Sequence, residues 1–491
     1  MQRSLGVADG GLVSRVFASG IWVSVSYACQ TVLQFGRQIV LARLLTPDAF
    51  GTMGLCLVVT RGLELFTTTG IGPALIQRQA NVDAAKPTAF TLQAGRGFIL
   101  GLLTVLLSPL AAWYYDAPAL TALISTLGVV FVVNGLVNIE TILLNKRLEF
   151  RKLTALELWS AVIGSVVLIA LAFVFRSVWA LILGNIVTAL TRTTLSYLLI
   201  RTRVPFGYDA RFAREFAAYG RFVTASTAVM FLASEIDNAF VGKMLGFKEL
   251  GFYSVAFTLA NLPATSISRT AMLVIFPAYA SLQGDPEKLR TGYLTVLRTV
   301  GAVSLAAAAG LAALAPDVVR IVYGERWLPA VGALQVLSVL GAARSISVLS
   351  AYVYNAIGKP SISFYLVAGR LLVIAPLLYP LIKQFGIIGA AYAMAGPQLI
   401  ELLIGFWVLQ REVGVPITAV ARIVLRQLLN VGLMTGALLG GRWLLAPVGP
   451  LDLLLLVVVG SAVFALASVD QVRQVMADLR GRRSSAPGTA G

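Results

Sequence analysis

Apolar residues run through this chain in stretches of about 20, the length a helix needs to cross bilayer hydrocarbon, with short polar connections between them. Read in span-length windows, the pattern predicts helices over 16–41, 50–76, 89–113, 120–144, 156–175, 178–200, 222–241, 251–276, 293–315, 328–357, 362–382, 387–409, 419–445 and 451–467. Turn-forming pieces such as Thr46-Pro47-Asp48, Gly284-Asp285-Pro286 and Gly358-Lys359-Pro360 punctuate them. The fold class is therefore all-α, a polytopic membrane protein of about 14 transmembrane helices. The first stretch lacks the short apolar core and cleavage site of a secretory signal, so it reads as an uncleaved span.

Composition limits what else the chain can hold. Of 491 residues 58% are apolar and 12% charged, and so many spans leave no room for a separate catalytic domain or receptor head. The formal charge is +17, and the positive-inside rule absorbs much of it. Alternate connections carry Arg78, Lys86, Lys146, Arg147, Arg151, Lys152, Arg201, Arg203, Arg211, Arg214, Arg221, Lys288, Arg290, Arg298, Lys359, Arg411, Arg422 and Arg426. With Arg3, Arg15, Arg473, Arg480, Arg482 and Arg483 that side holds roughly 24 basic residues against about 8 on the other. Both termini are expected in the cytoplasm. Topology explains the charge, so nucleic acid is not among the expected partners; membrane lipids and an anionic substrate are. The chain has no His, so a proton-coupled step would use carboxylates. Cys29 and Cys56 sit in apolar runs and indicate no disulfide framework. No P-loop sequence is present, which excludes direct ATP drive by this chain.

A repeat organises the spans. Residues 37–51 align without gaps on 237–251, so that Arg43 meets Lys243, Leu45 meets Leu245, Phe50 meets Leu250 and Gly51 meets Gly251. Six spans separate the copies, and an even number predicts two halves inserted in the same orientation about a pseudo-two-fold axis along the membrane normal. The domains expected are a six-helix bundle over 1–200, a cytoplasmic linker over 201–221, a second six-helix bundle over 222–410, two additional helices over 411–468 and a tail over 469–491. In the linker, Phe212 and Phe216 stand four apart with Arg211, Arg214 and Glu215 off that stripe, which reads as a short interfacial helix resting on anionic lipid.

At Val40-Leu-Ala-Arg-Leu-Leu-Thr-Pro-Asp-Ala-Phe-Gly51 and Thr69-Gly-Ile-Gly-Pro-Ala-Leu-Ile-Gln-Arg78 the sequence resembles the bacterial polysaccharide-transporter family. Its members are lipid-linked oligosaccharide flippases of the multidrug/oligosaccharidyl-lipid/polysaccharide exporter superfamily. Asp237 to Tyr253 and Phe276-Pro-Ala-Tyr-Ala-Ser-Leu-Gln283 look like that family's central signature, nearest to exopolysaccharide exporters of the colanic-acid type. The resemblance implies a MATE-like pair of six-helix bundles around a central cavity, alternating access, and an undecaprenyl-diphosphate-linked oligosaccharide as cargo. It implies no catalytic residues, no metal and no cofactor beyond a coupling H+ or Na+, and it admits a polysaccharide polymerase and export machinery as partners. Two other readings are a multidrug exporter of organic cations, which a cationic lumen would repel, and a polysaccharide polymerase or ligase, which would need a sizeable external loop.

The candidate site lies in charges at membrane depth. Arg37, Arg61, Arg96, Arg192, Arg269, Arg344 and Arg370 interrupt apolar helices, and each would cost about 2.5 to 3.5 kcal/mol facing lipid at mid-depth. Arg37, Arg96 and Arg192 are close enough to span ends to snorkel. The diphosphate cargo suits guanidinium groups, which stay charged and bind phosphate oxygens in pairs, so Arg37, Arg61, Arg96, Arg269, Arg344 and Arg370 are the candidate substrate-binding residues. Glu64, Glu235 and Asp237 are candidates for ion coupling. For Arg61 and Glu64, three apart on one helix, a local ion pair is the structural alternative; for Asp237 it is a salt bridge across helices. Glu140 and Glu157 read as solvated caps. Asn134, Asn138, Asn185, Asn261, Asn355, Tyr352 and Tyr354 could meet sugars or bond neighbouring helices.

Overall fold

In the computed structural model the described residues are 9–65, 71–78, 81–147, 149–270 and 275–470, with side chains described outside 9–25, 65, 217–227 and 266–270. The side chains of Arg269 and Arg221 and the expected basic residues Arg3, Arg15, Arg473, Arg480, Arg482 and Arg483 lie outside the described set.

By internal contacts the chain divides into Met1–Gly251 and Phe252–Gly491. The first unit holds α1 (Asp9–Leu44), α2 (Pro47–Leu65), α3 (Ile71–Gln77), α4 (Val82–Tyr114), α5 (Ala119–Gly135), α6 (Glu140–Lys146), α7 (Phe150–Phe175), α8 (Val178–Leu199), α9 (Ala210–Leu245) and the first turn of α10 (Phe247–Thr270). The second holds the rest of α10, α11 (Phe276–Ser281), α12 (Pro286–Ala313), α13 (Ala315–Val318), two short tighter or wider turns of helix, then α14 (Val331–Ala356), α15 (Ser361–Val413), α16 (Ile417–Leu444) and α17 (Pro450–Ala467). Among the described residues every regular element is helical. Eight helices there are long and apolar enough to cross a membrane, or nine if the pair α5 and α6, bent by 59°, is one broken span. Among the described residues, each of the fourteen expected segments falls on one of the helices α1–α17 or on a pair of them.

The chain is inside out relative to a soluble protein. On α4 the buried stripe is Gly97, Gly101, Thr104 and Ser108, while Phe98, Leu102, Leu106 and Trp113 point outward. Lipid tails are as apolar as leucine, so helices associate through close packing and hydrogen bonds, which small residues permit. A Cβ on Gly101 or Gly128 would lie 2.9 Å from the other's carbonyl oxygen, and Ser108 and Ser125 share a 2.7 Å hydroxyl bond further along. Thus α4 and α5 form an antiparallel hairpin. The pair α7 and α8 repeats the device, with Gly164 against Thr188 and Gly184 against Leu168.

The 53-residue α15 is two limbs. Gly386 has φ +60° and ψ −137°, a backbone that only glycine adopts without strain, and the chain folds back there. Lys359 pairs with Glu412 at 2.5 Å and, eleven residues further in along each limb, Arg370 pairs with Glu401. The α16–α17 hairpin belongs to the same unit: Gln427 is wholly buried and donates to Leu297 and Arg298 carbonyls on α12, and Asp317 on α13 holds Arg442 at 2.5 Å.

The expected interfacial helix and the span after it form a single helix, α9, capped by the Asp209 side chain accepting from the Arg211 N–H. Its first turns pack on protein: Phe216 is wholly buried against a cluster that includes Ile71, Leu75, Phe90 and Leu143, and Glu215 meets Arg78 at 2.6 Å. The short helices α3 and α6 provide the platform that the sequence pattern did not disclose.

The repeat has a direct structural expression in the first unit. A Cβ on Gly51 would lie 1.7 Å from the Phe247 carbonyl oxygen, and one on Gly251 would lie 2.0 Å from that of Pro47. Pro47 and Phe247 are themselves repeat-equivalent. Residue i touching j while the equivalent of i touches the equivalent of j is the signature of a local two-fold contact.

Candidate functional site

In the first unit the charges at depth gather between α2 and α9. Arg61 Nη1 donates to Glu235 Oε1 at 2.7 Å, and Asn238 Nδ2 donates to Glu235 Oε2 at 3.0 Å. Helical spacing explains the set: Glu235 and Asn238, three apart, share a face, while Asp237 turns away and is wholly buried. The expected alternative of an Arg61–Glu64 pair is thereby corrected. Glu235 is 13% exposed and Arg61 55%, so the desolvated carboxylate is the group that demands a partner, whereas an exposed i,i+3 pair is worth only about 0.2–0.5 kcal/mol. Glu64 instead stands 3.9 Å from Arg96. Arg192 reaches Glu157 across the α7–α8 hairpin at 2.7 Å, so Glu157 is paired rather than a solvated cap. Among the described residues no ion pair reaches Arg37, which is partly exposed.

The second unit has its own network. Arg370 and Glu401 lie 2.9 Å apart with both side chains 10% exposed. Arg370 also donates to the Gln398 amide oxygen, and Gln398 donates to Ser347 Oγ at 3.1 Å. Ser347 and Arg344, three apart on α14, carry the chain of contacts to Asn261 on α10, whose Oδ1 accepts from Arg344 at 3.1 Å. Arg344 also lies over the Phe257 ring, 5.4 Å from its centre. The helices meet closely there because a Cβ on Gly341 would fall 2.2 Å from the Ala260 carbonyl oxygen.

The candidates therefore fall into separate clusters. Arg61 and Glu235 come together, as do Arg96 and Glu64; Arg344 and Arg370 are linked through Ser347 and Gln398. Of the proposed sugar contacts, Asn138 is committed to the Ile200 and Thr202 carbonyls, Asn185 to its own helix, and Tyr354 to the Gly405 carbonyl at 2.7 Å. The Asn138 and Tyr354 bonds join separate segments of the chain, and the Asn185 bond stays within α8.

Sequence reasoning missed one buried cluster. Glu140, expected as a solvated cap, is 2% exposed, paired with Lys86 and 3.5 Å from Arg147. The cause is the break between α5 and α6, which turns the first residue of α6 inward while Asn138 Oδ1 accepts from its N–H at 3.0 Å. The segment Asn138-Ile139-Glu140, a cap residue followed by an acid, was the available signal.

Several ion pairs near the span ends join partners expected on the same side. Lys86–Glu140, Arg78–Glu215 and Lys359–Glu412 join members of one alternating set of connections, and Lys243–Asp116 and Arg442–Asp317 join members of the other.

Residues 40–332, more than half of the chain, match the family described as polysaccharide biosynthesis protein. The chain belongs to that family. Its relatives include the teichuronic acid biosynthesis protein TuaB of Bacillus subtilis, 25% identical over 81% of this chain and 83% of that protein. The lipopolysaccharide biosynthesis protein WzxC of Escherichia coli is 26% identical over 82% of each. Among solved structures, the lipid II flippase MurJ in an inward closed conformation superimposes with a TM-score of 0.73 over 93% of this chain and all of that one, at 14% identity. That likeness establishes the fold, a multi-helix membrane architecture like that of the flippase.

Proposed function

We propose that this protein flips undecaprenyl-diphosphate-linked oligosaccharide repeat units across the bacterial inner membrane for polysaccharide synthesis. It does so by alternating access, with both termini in the cytoplasm and no covalent chemistry of its own. Family membership across more than half of the chain supports the reading, as do relatives named for polysaccharide biosynthesis. The observation that carries the mechanism is the Arg61–Glu235–Asn238 cluster. A carrier must offer a cation to its cargo without leaving that cation bare when empty. Arg61 is half-exposed yet paired, so an incoming diphosphate can displace one carboxylate and take the guanidinium through two oxygens. The released Glu235 carboxylate, with Asn238 beside it, is then open to a coupling cation, H+ or Na+, which ties cargo to ion. Arg37 and Arg96, in the same unit, would supply further contacts along the path.

The test is polymer export in cells that depend on this chain, normalised to the folded, membrane-inserted amount of each variant. Arg61→Ala removes a contact of about 1.5 to 3 kcal/mol, so normalised export should fall by roughly 10-fold to 150-fold, with lipid-linked intermediate accumulating. Arg61→Lys should recover only part, because it keeps the charge and loses the fork. Undiminished normalised export by Arg61→Ala would sink the exchange mechanism.

A further inference from the structure

A second feature of the fold lies apart from that cluster. Between the two limbs of α15 runs a cleft of about 410 Å³. Tyr365, Leu366 and Gly369 line one wall and Ile400, Ile404 and Trp407 the other. Tyr365 is 71% exposed and Trp407 53%, and Leu372 and Leu403 on the same limbs also point outward, so the cleft opens on a surface that a membrane protein presents to lipid. Its wall is interrupted at Gly369, where nothing lies within 4 Å of where a Cβ would stand.

The charges along it are unevenly spent. Arg370 is held by Glu401 at the inner end and Lys359 by Glu412 beside the mouth. Arg411, also at the mouth, has no carboxylate partner among the described residues, and its guanidinium lies over the Trp407 ring, 5.9 Å from the centre. One cation is therefore left over where the cleft begins. From Arg411 to Glu401 is ten residues of helix, about 15 Å, an apolar run long enough for most of an acyl chain. Aromatic rings beside a basic residue are the usual furniture of a headgroup boundary.

We propose that the α15 cleft is a binding site for an anionic phospholipid, one acyl chain lying between the limbs and the phosphate resting on Arg411. A single unneutralised cation matches the one negative charge of a phosphodiester headgroup; a diphosphate would leave at least one charge unmet in this boundary. The site is thus assigned to a resident lipid that wedges the α15 hairpin, distinct from the transported cargo.

The probes are phosphatidylglycerol and the zwitterionic phosphatidylethanolamine, titrated into the delipidated full chain in detergent and read as lipid retained per protein by native mass spectrometry. The wild type should prefer phosphatidylglycerol. Arg411→Gln should weaken phosphatidylglycerol about 10-fold and phosphatidylethanolamine, whose own ammonium already offsets its phosphate, by less. Gly369→Leu, which fills open space and should fold, should lose retention of both. Equal binding of the two lipids by the wild type would overturn the proposal, as would unchanged phosphatidylglycerol binding in both variants. So would displacement of phosphatidylglycerol by a stoichiometric amount of polyprenyl diphosphate in an Arg411-dependent way, since the cleft would then belong to the cargo. None of these readouts depends on export, so the result stands apart from the exchange mechanism.

Discussion

Replacing Gly51 by alanine tests whether the repeat contact is as tight as the backbone demands. The new methyl carbon would stand 1.7 Å from the Phe247 carbonyl oxygen, so the starts of α2 and α10 must part by roughly 1.5–2 Å to restore ordinary contact. Overpacking of this kind costs typically about 1–3 kcal/mol, and alanine's better helix propensity returns only about 0.5–1 of it. Gly36→Ala on α1 is the internal control, because nothing lies within 4 Å of its Cβ position and propensity alone should raise stability. The reciprocal geometry adds a sharper expectation. Gly251→Ala clashes with the Pro47 carbonyl across the same contact, and one separation relieves both clashes, so the double variant should lose less than the two singles added together. The assay is the thermal midpoint of the purified protein in detergent for the two singles, the double and the control. Gly51→Ala should fall by roughly 1 to 4 °C. A midpoint for Gly51→Ala equal to that of Gly36→Ala, or strict additivity in the double, would refute the two-fold contact.

Gly386→Ala places a Cβ at φ +60° and ψ −137°; about 1–3 kcal/mol of backbone strain should lower the thermal midpoint and, by opening the limbs, weaken lipid retention in the α15 cleft. Asp285, which caps α12 from the connection before it, has its carboxyl held below its ordinary value, first by the Lys288 ammonium and then by the Lys288 N–H. Its contribution to stability is therefore present above the usual carboxylate pKa of about 3.9 and is lost as pH falls through the lowered folded value. The midpoint difference between wild type and Asp285→Asn should accordingly shrink in that acid range and stay constant from pH 5 to 7. A single cysteine at Ala210, in a Cys29→Ser/Cys56→Ser background, should resist an impermeant thiol reagent applied to intact cells; labelling from outside would reverse the topology.

Much of this protein is legible in its sequence because the bilayer imposes a one-dimensional constraint. A span must be apolar for about 20 residues whatever it packs against, so the helices, the alternation of basic connections and the 200-residue repeat with Gly51 on Gly251 could all be read without a partner in view. The inclusion of Arg61, Arg344, Arg370 and Glu235 among groups that need company followed from the same solvent argument. Who keeps them company did not, since pairing is a property of distance in space. Arg61 finds Glu235, 174 residues away, in preference to Glu64 three residues on. Glu140 is buried because α5 breaks before it, and the break follows from packing that no window of composition records. The first turns of α9 rest on α3 and α6 because those short helices expose an apolar platform at the right place. The fold back of α15 at Gly386 turned two expected spans into the walls of a cleft, with the leftover charge of Arg411 at its mouth. Burial and periodicity are local along a membrane chain and so are written in its order; electrostatic neutralisation and cavity shape arise between helices, and only the assembled structure decides them.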